Sequence, residues 1–473
     1  MKGFVSLITK PKGEKMEEKV LSLLETAEQA TARDAMMAIG KAAGGERLTE
    51  NEIAILIHRA EDVEGALFDA ATYIREKTYG RRMILFAPLY LTNFCANDCL
   101  YCGFRAGNKT LARKTLADDE IEKEVRWLNK RGYRRILLEA GEHQSVPIDR
   151  VASAMKFIYG LRDESGRPMV DRINVNIAAA NRWDYGELLN AGIGTYNLFQ
   201  ETYHFPTYAK MHPRGPKHDY IRQLAAPSFA IRAGIGDIGM GVLYGLYDWK
   251  FETVSLIIRA LDLERTYGIG PHAISFPRVK PANGVDFAPP YPVDDETYLR
   301  IIAMTRIALP YAGQIISTRE SAEIRRKAFH IGISQTSAGS STEVGGYTKE
   351  KNTAGQFTLA DERPLSEVIK ELLEEGFVPA FCTGCEYHNR TGTAFMRVAQ
   401  KSEIGNFCTL NSVLSLAEYL RDSVKFLPKD TISLGLKVIE REINKPQSPF
   451  INEKTRESVK RIFGGENAIK FYI

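Results

Sequence analysis

A repeated alternation of strand and helix patterns between residues 83 and 341 constrains the fold of this chain more than any other feature. Short apolar and β-branched runs are separated by stretches with helical periodicity, such as Asp118 to Arg131 and Phe251 to Tyr267. Strands that alternate with helices pair in parallel, and eight such units close a barrel. The sequence therefore predicts an α/β fold of the (β/α)8 TIM-barrel type, with an open doubly wound sheet as the competing layout. Its eight predicted strands are MILFAPLYLT, RRILLEAGE, RINVNIAA, TYNLFQETY, IGMGVLYG, HAISFPRVK, GQIISTRES and ISQTSAGSS.

The segments on either side of the barrel have a different pattern. Residues 1–80 are mostly helix-forming, with amphipathic stretches from Glu14 to Glu28 and from Asn51 to Lys77. Gly345 to Asp361 is polar and rich in turn residues, and a second helical region follows it. We therefore expect an N-terminal helical layer at 1–80, the barrel at 81–345 and a C-terminal helical domain at 346–473.

Charge and hydropathy exclude several classes of partner. The chain has 63 Lys and Arg against 59 Asp and Glu, a formal net charge of +4, without a basic block that would favour nucleic acid. No apolar run approaches the roughly 20 residues that span a bilayer, and the N-terminus lacks the pattern of a signal peptide. We expect a cytoplasmic enzyme with a small-molecule substrate, and no nucleic-acid or membrane partner.

The six cysteines form two tight groups. The first is Cys95, Cys99 and Cys102, and the second is Cys382, Cys385 and Cys408. In the reducing cytosol such spacings indicate metal ligation rather than disulfides. We therefore expect an oxygen-sensitive protein that works under anaerobic conditions.

The first group follows the first predicted strand directly, in the segment CANDCLYC. Three thiolates would then lie at the C-terminal mouth of the barrel, where barrel enzymes have their active sites. Three protein ligands leave one iron of a [4Fe-4S] cluster open to a small molecule. The alternative is a structural zinc site, which prefers four ligands.

This C-x3-C-x2-C motif, with the aromatic Tyr101 before its last cysteine, resembles the signature of the radical S-adenosylmethionine (SAM) superfamily. The resemblance implies that SAM binds the open iron and is cleaved to a 5′-deoxyadenosyl radical, which takes hydrogen from a substrate. Glu142 in LLEAGEH fits the position that contacts the methionine ammonium, where a carboxylate offers charge-assisted hydrogen bonds. The alternative for Glu142 is a solvated strand-end glutamate. The cofactor-binding residues implied are Tyr101, Gly141, Glu142 and Asn176.

The second group, C-x2-C-x22-C, again offers three ligands. A zinc site completed by His388 would satisfy tetrahedral coordination. A second, open iron-sulfur cluster is the favoured interpretation, with an iron available for a further bound group.

Together the two groups and the barrel motifs resemble the HydG family of tyrosine lyases, which help to build the active site of [FeFe]-hydrogenase. The resemblance covers nearly the whole chain. The ThiH family of thiazole synthesis resembles the barrel alone, although Gly141 to His143 is similar to ThiH. The motifs that carry the resemblance are INVNIAA, LFQETYHFPTYAKMHP, YGLYDW, GPHAISFPR, ISTRES and SAGSSTEVGGY.

The HydG resemblance implies that His272 binds an extra, labile fifth iron of the second cluster. His272 opens its predicted strand, whereas the first cysteines follow the end of theirs. A strand of about eight residues is roughly 25 Å long, so the two clusters should lie at opposite mouths of the barrel. A lone histidine is otherwise more often a satisfied core or surface residue.

The substrate implied by the resemblance is L-tyrosine, cleaved between Cα and Cβ to p-cresol and dehydroglycine. Dehydroglycine would yield CO and cyanide at the second cluster. Arg319 is the candidate for the amino-acid carboxylate, because its fork matches a carboxylate bidentately, and Ser317 and Thr318 could add hydroxyl donors. The alternative for Arg319 is an ion pair with Glu320 or another carboxylate. The partners implied are a reductant such as ferredoxin or flavodoxin and the maturation proteins HydE and HydF.

One departure from the family pattern follows Cys385. Where HydG sequences have Tyr and Arg, this chain has Glu386 and Tyr387, while Arg390, Thr391 and Gly392 remain. Loss of a basic group beside an anionic cluster weakens the stabilisation of that anion. Three hypotheses therefore stand: a HydG-type enzyme, a ThiH-type enzyme that stops at dehydroglycine, and a non-catalytic cluster carrier.

Overall fold

The computed structural model describes residues 10–349, 355–388, 390–401, 404–445 and 449–472, without the side chains of 10–15, 386, 387, 406 and 449–451. Eight parallel strands close into a barrel, because the first strand pairs with both the second and the eighth. The predicted (β/α)8 barrel is confirmed. Its strands are β1 (Arg82–Thr92), β2 (Arg135–Ala140), β3 (Arg172–Asn176), β4 (Thr195–Glu201), β5 (Asp237–Val242), β6 (Ala273–Ser275), β7 (Gly313–Ile316) and β8 (Gln335–Ser337).

A ninth strand, β9 (Val378–Ala380), was not predicted from the sequence. It pairs in parallel with Arg82–Ile84, whereas β2 pairs with the later part of β1, from Ala87 onward. A run of three residues beside Phe377 and Phe381 has no periodicity of its own, so only the neighbouring edge of β1 makes it a strand. β9 leads the chain directly to Cys382.

Helices cover the outside of the barrel, so its strands are buried on both faces, as parallel sheets require. In the described ranges thirteen α-helices precede β9, and α1 to α4 come before β1 where the helical layer was predicted. They are α1 (Lys10–Glu28), α2 (Ala32–Ala43), α3 (Glu50–His58), α4 (Glu64–Tyr79), α5 (Asp118–Asn129), α6 (Ile148–Gly160), α7 (Arg182–Asn190), α8 (Phe205–Met211), α9 (Tyr220–Ala233), α10 (Trp249–Tyr267), α11 (Asp295–Ala308), α12 (Ala322–Ile331) and α13 (Leu365–Glu374).

Five further α-helices follow β9 in the part of the chain that the structure describes, and the longest of them, α16, packs against β9 and α4. Buried apolar residues of the N-terminal helices, the barrel and the C-terminal helices form one continuous core. No helix in the described ranges is long and apolar enough to cross a membrane. These helices are α14 (Gly384–Tyr387), α15 (Gly392–Ala399), α16 (Ile404–Asp422), α17 (Lys429–Ile443) and α18 (Pro449–Phe463).

Candidate functional site

The first three cysteines lie in the loop after β1, at the mouth formed by the C-terminal ends of the strands, hereafter the upper mouth. Hydrogen bonds hold this loop to its surroundings: Ala96 N donates to the carbonyl O of Glu142 over 2.7 Å, and Leu100 N donates to Met211 O over 3.0 Å. All three cysteines line a cavity of about 220 Å³ inside the barrel, hereafter the upper cavity.

Burial governs the chemistry of these thiols. Cys99 is buried, and desolvation raises the pKa of its thiol; burial likewise raises the pKa of Cys102 to about 11. Thiols of this kind stay protonated near neutral pH unless a metal displaces the proton. Neither Cys99 nor Cys102 is therefore a free nucleophile at neutral pH.

Glu142 follows β2 and is not a solvated side chain. Its Oε2 accepts a hydrogen bond from Asn97 Nδ2 over 2.7 Å, and its Oε1 lies 2.6 Å from Arg222 Nη2. A Cβ at Gly141 would collide with the carbonyl O of Phe94 and lie 3.2 Å from Cβ of Cys95. Glycine at position 141 therefore lets β2 approach the cysteine loop, and Glu142 is held beside it.

The other two predicted cofactor contacts also line the upper cavity. The hydroxyl of Tyr101 lies 2.8 Å from Nε2 of His212, and the two rings meet edge to face. Asn176 Nδ2 donates to Oε2 of Glu139 over 3.4 Å.

Arg319, Ser317 and Thr318 follow β7 and line the same cavity. The guanidinium of Arg319 lies 3.2 Å from the centre of the Phe357 ring. Glu320, the alternative ion-pair partner of Arg319, is instead bound by Arg278 and lies 3.1 Å from Lys280 Nζ. Within the described part of the chain Arg319 forms no ion pair, so its fork is available to a ligand.

Two hydrogen bonds from backbone N–H groups hold the loop that carries these three residues. Ser317 Oγ accepts a hydrogen bond from the backbone N of Arg319 over 3.4 Å, and Thr318 N donates to Ser337 Oγ over 3.3 Å. Hydrogen bonds within the loop and to β8 thus fix the backbone that carries Arg319.

Sequence reasoning missed Glu139 and Lys217, which line the upper cavity. Glu139 lies on β2, and Glu201 ends β4 with a φ of 69°, the only positive φ among the described non-glycine residues. Lys217 Nζ lies 2.6 Å from Oε1 of Glu201. The sequence did contain a signal for Glu139, since a carboxylate inside the apolar run ILLEA is unusual.

Gln356 and Phe357 also line the upper cavity, although the sequence placed them in the C-terminal domain. Gly103 N donates to Gln356 O over 3.0 Å, and Tyr90 OH donates to Gln356 Oε1 over 2.9 Å. Residues beyond the predicted boundary at 345 therefore help to build the first site.

The second cysteine group lies at the opposite end of the barrel, beside the N-terminal ends of the strands, hereafter the lower mouth. Cys382, Cys385, Cys408 and His272 line a cavity of about 40 Å³, the lower cavity. Gln335, the first residue of β8, lines both cavities.

Two arginines at the starts of strands face the lower cysteines. Arg82 Nη1 lies 3.2 Å from Cys408 Sγ, and Arg135 Nη1 donates to the carbonyl O of Cys382 over 2.8 Å. A hydrogen bond between the Cys385 and Cys408 thiols lowers the pKa of Cys385 and raises that of Cys408. The arginines thus place positive charge beside the lower cysteines, while burial raises the pKa of Cys382 to about 11.

His272 precedes β6 and is nearly enclosed. Its ring lies 4.4 Å from the ring of Phe395, and its Nδ1 is 3.5 Å from Oδ1 of Asp237. Burial lowers the pKa of His272 to about 4. The imidazole is thus neutral at physiological pH, the form that binds metal.

His388 is turned towards the C-terminus, with Nε2 2.9 Å from the carbonyl O of Tyr472. Among the described residues no group of three or more His, Cys, Asp or Glu side chains is arranged to hold a single metal ion. The side chains of Glu386 and Tyr387, where the sequence departs from HydG, lie outside the described residues.

The donor set at the upper mouth fits a [4Fe-4S] cluster with one open iron. The described residues that line the upper cavity include three cysteines and neither a fourth cysteine nor a histidine. The lower cavity offers three cysteines and one histidine.

Comparisons with known proteins agree with this geometry. The radical SAM superfamily model matches residues 89–261, and the Biotin and Thiamin Synthesis associated domain matches residues 275–378. A crystal structure of HydG, a maturase of the [FeFe]-hydrogenase, is 44% identical with a TM-score of 0.90, covering 95% of this chain and 98% of that one. HydG from Carboxydothermus hydrogenoformans is 35% identical with a TM-score of 0.82, covering 94% and 99% of the two chains. The 2-iminoacetate synthase of Escherichia coli (strain K12) is 31% identical over 346 residues, which are 72% of this chain and 89% of that protein.

The closed barrel, the cysteine loop at its upper mouth and the superfamily match define a radical SAM enzyme. Such enzymes use a [4Fe-4S] cluster and SAM. Within this class, the chain belongs to the family of the HydG maturases and the 2-iminoacetate synthases.

Proposed function

We propose that the protein cleaves L-tyrosine to p-cresol and dehydroglycine at the upper cavity and converts dehydroglycine to CO and cyanide at the lower one, for assembly of the [FeFe]-hydrogenase active site. One observation carries the first step: the same cavity contains three cysteines and an arginine without an ion pair to any described residue. The names of the HydG and 2-iminoacetate synthase relatives support it.

We assign roles at the upper mouth as follows. Cys95, Cys99 and Cys102 hold the cluster, and Tyr101, Gly141, Glu142 and Asn176 contact SAM. When bound, the cluster and SAM supply a 5′-deoxyadenosyl radical that abstracts a hydrogen atom from the substrate. Arg319 binds the substrate carboxylate through its two parallel N–H donors, and Ser317 and Thr318 shape the same loop.

At the lower mouth, Cys382, Cys385 and Cys408 are the proposed ligands of a second iron-sulfur cluster, and His272 that of an additional iron. Such a centre supplies iron that binds small ligands. Arg82 and Arg135 compensate its negative charge. Gln335 lines both cavities, which supports the passage of dehydroglycine between them inside the barrel.

Replacement of Cys408 by Ser separates the two steps. We expect anaerobic Cys408→Ser protein, supplied with SAM, tyrosine and reductant, to form p-cresol at close to the wild-type rate and to lose CO and cyanide. Trapping CO with haemoglobin and quantifying p-cresol by chromatography measure both products. Equal loss of p-cresol would contradict the separation, and Cys95→Ser, as the matched control, should abolish all products.

A second candidate function ends at dehydroglycine. The match to 2-iminoacetate synthase favours it, as does Glu386 in place of a family tyrosine. Wild-type protein that forms p-cresol but no CO would establish this alternative. A wild-type protein that cleaves SAM and leaves tyrosine intact would rule out both.

A further inference from the structure

Four carboxylates line the upper cavity, and three of them are already neutralised. Glu142 lies 2.6 Å from Arg222 Nη2, and Glu201 lies 2.6 Å from Lys217 Nζ. Glu320 is paired with Arg278 and Lys280. Glu139 is the fourth, and no described cation lies within ion-pair distance of it.

The cations of the upper cavity show the complementary pattern. Lys217 and Lys280 are paired with the glutamates named above, whereas Arg319 has no ion-pair partner among the described residues. Arg319 and Glu139 do not form an ion pair with each other, yet Arg319 is close enough to attract the Glu139 charge. Among the described residues, the cavity therefore holds one cation and one carboxylate that lack an ion-pair partner.

Strand register explains how Glu139 comes to face inward. In the parallel pairing of β1, β2 and β3, Glu139 is opposite Tyr90 on one side and Asn176 on the other. All three line the cavity, and Asn176 holds one carboxylate oxygen of Glu139. A carboxylate kept in a barrel interior without a cation is costly unless a ligand supplies the charge.

An amino-acid zwitterion supplies that charge, since its carboxylate and its ammonium are carried by one Cα. We propose that Glu139 binds the ammonium group of the substrate tyrosine, while Arg319 binds its carboxylate, and that Glu139 accepts one ammonium proton. This inference rests on the proposed tyrosine cleavage and deepens it, because it names the group that prepares the amine.

The proton transfer balances simply. One N–H bond of the ammonium breaks, its electron pair stays on nitrogen, and an O–H bond forms on Glu139. Loss of a hydrogen atom from the resulting neutral amine avoids a positively charged aminyl radical. After Cα–Cβ cleavage, the 4-hydroxybenzyl fragment takes one electron from the ferredoxin or flavodoxin reductant and the Glu139 proton, which gives p-cresol and restores the carboxylate.

The acid-base properties of Glu139 suit this role. Burial raises its pKa to about 7, against the attraction of Arg319 and the hydrogen bond from Asn176. The tyrosines that face Glu139 do not titrate near pH 7, because burial raises the pKa of Tyr90 and of Tyr347 well above 10. The base must be ionised to act, so the tyrosine cleavage rate should rise with pH through about 7 and level off above it.

Glu139→Gln tests the assignment with an isosteric neutral group. Since general bases contribute on the order of 10²- to 10⁴-fold, we expect kcat at pH 7 to fall at least about 100-fold. The rise through about pH 7 should vanish, and the residual rate should climb only at alkaline pH, where the free amine of tyrosine forms. Glu139→Asp should restore part of the neutral-pH rise.

A binding measurement provides a readout independent of turnover. Without reductant, equilibrium dialysis of labelled tyrosine should show wild-type affinity that increases through about pH 7, as the Glu139 charge develops. Affinity in Glu139→Gln should be lower and flat over the same range. Glu252→Gln is the matched control: Glu252 is also buried, burial raises its pKa to about 8, and it accepts hydrogen bonds from Thr202 and Tyr203 outside the cavity lining. It should keep both wild-type pH profiles.

Each outcome decides the question. An active wild type together with Glu139→Gln protein that has unchanged rate and binding profiles overturns the Glu139 assignment and leaves tyrosine cleavage intact. A wild type that never cleaves tyrosine overturns the proposed function, and the Glu139 inference with it. Loss of both pH dependences in Glu139→Gln, but not in Glu252→Gln, supports the inference.

Discussion

At the scale of single residues, the upper mouth is organised by which charges are already paired. Glu142 and Glu320 are neutralised by arginines of the same chain, so neither competes for Arg319. The Phe357 ring supports the guanidinium from one side without satisfying its N–H donors. Arg319 is thus held in place while its hydrogen-bonding capacity remains available.

We therefore expect Arg319→Lys and Arg319→Ala to weaken tyrosine binding to different degrees. Lysine keeps the charge and loses the bidentate fork, so KM for tyrosine should rise about 10-fold. Alanine should raise KM about 100-fold or more, because each lost hydrogen bond to a charged group is worth roughly 1.5–3 kcal/mol. Steady-state p-cresol formation measures this. Arg326→Ala, at an exposed position of α12, should leave KM unchanged. An Arg319→Ala protein with the wild-type KM would show that another group binds the carboxylate.

At the scale of elements, β9 links the barrel to the second cysteine group. Val378 N donates to Arg81 O over 2.8 Å, and the chain then reaches Cys382 two residues after the strand ends. The lower mouth already contains Arg82, Arg135 and His272 from other elements. Pairing of β9 with the start of β1 thus brings the C-terminal cysteines to these residues.

Val378→Pro should disrupt the lower site selectively. Proline removes the N–H that Val378 donates and cannot take part in the ladder there. We expect the iron content after reconstitution to fall towards that of one cluster, with the EPR signal of the second cluster lost and p-cresol formation retained. Val378→Ile, which keeps the donor and the apolar side chain, is the control. A parallel loss of p-cresol would mean that β9 is required by the barrel itself.

At the scale of the whole molecule, the barrel and the C-terminal helices share one core. Gly132 in the turn after α5 has a φ of 91°, and a Cβ there would lie 2.5 Å from Cε2 of Tyr419 on α16. The C-terminal helices therefore pack directly against barrel turns, and their position depends on small residues at the contact.

A pair of glycine substitutions measures this contact. Gly132→Ala and Gly166→Ala both place alanine at a positive φ, 91° and 81°, but a Cβ at Gly166 meets no atom within 4 Å. Backbone strain should lower the free energy of unfolding of both variants by about 1–2 kcal/mol. In Gly132→Ala, overpacking against Tyr419 should lower it by about 1–3 kcal/mol more. Thermal unfolding midpoints compare the two. Equal midpoints would show that α16 moves away from the new Cβ at position 132 without a loss of stability.

The sequence by itself determined the barrel, because alternating strand and helix patterns recur eight times and each depends on local periodicity. Close spacing in the chain likewise identified Cys95, Cys99 and Cys102 as one group, and the pattern of the sixth predicted strand placed His272 at its start. Only the tertiary structure decided that Glu139 and Arg319 face one cavity, that β9 is a strand, and that Gln356 returns to the upper mouth. These features depend on register and on contacts between residues far apart in the chain, for which periodicity carries no signal.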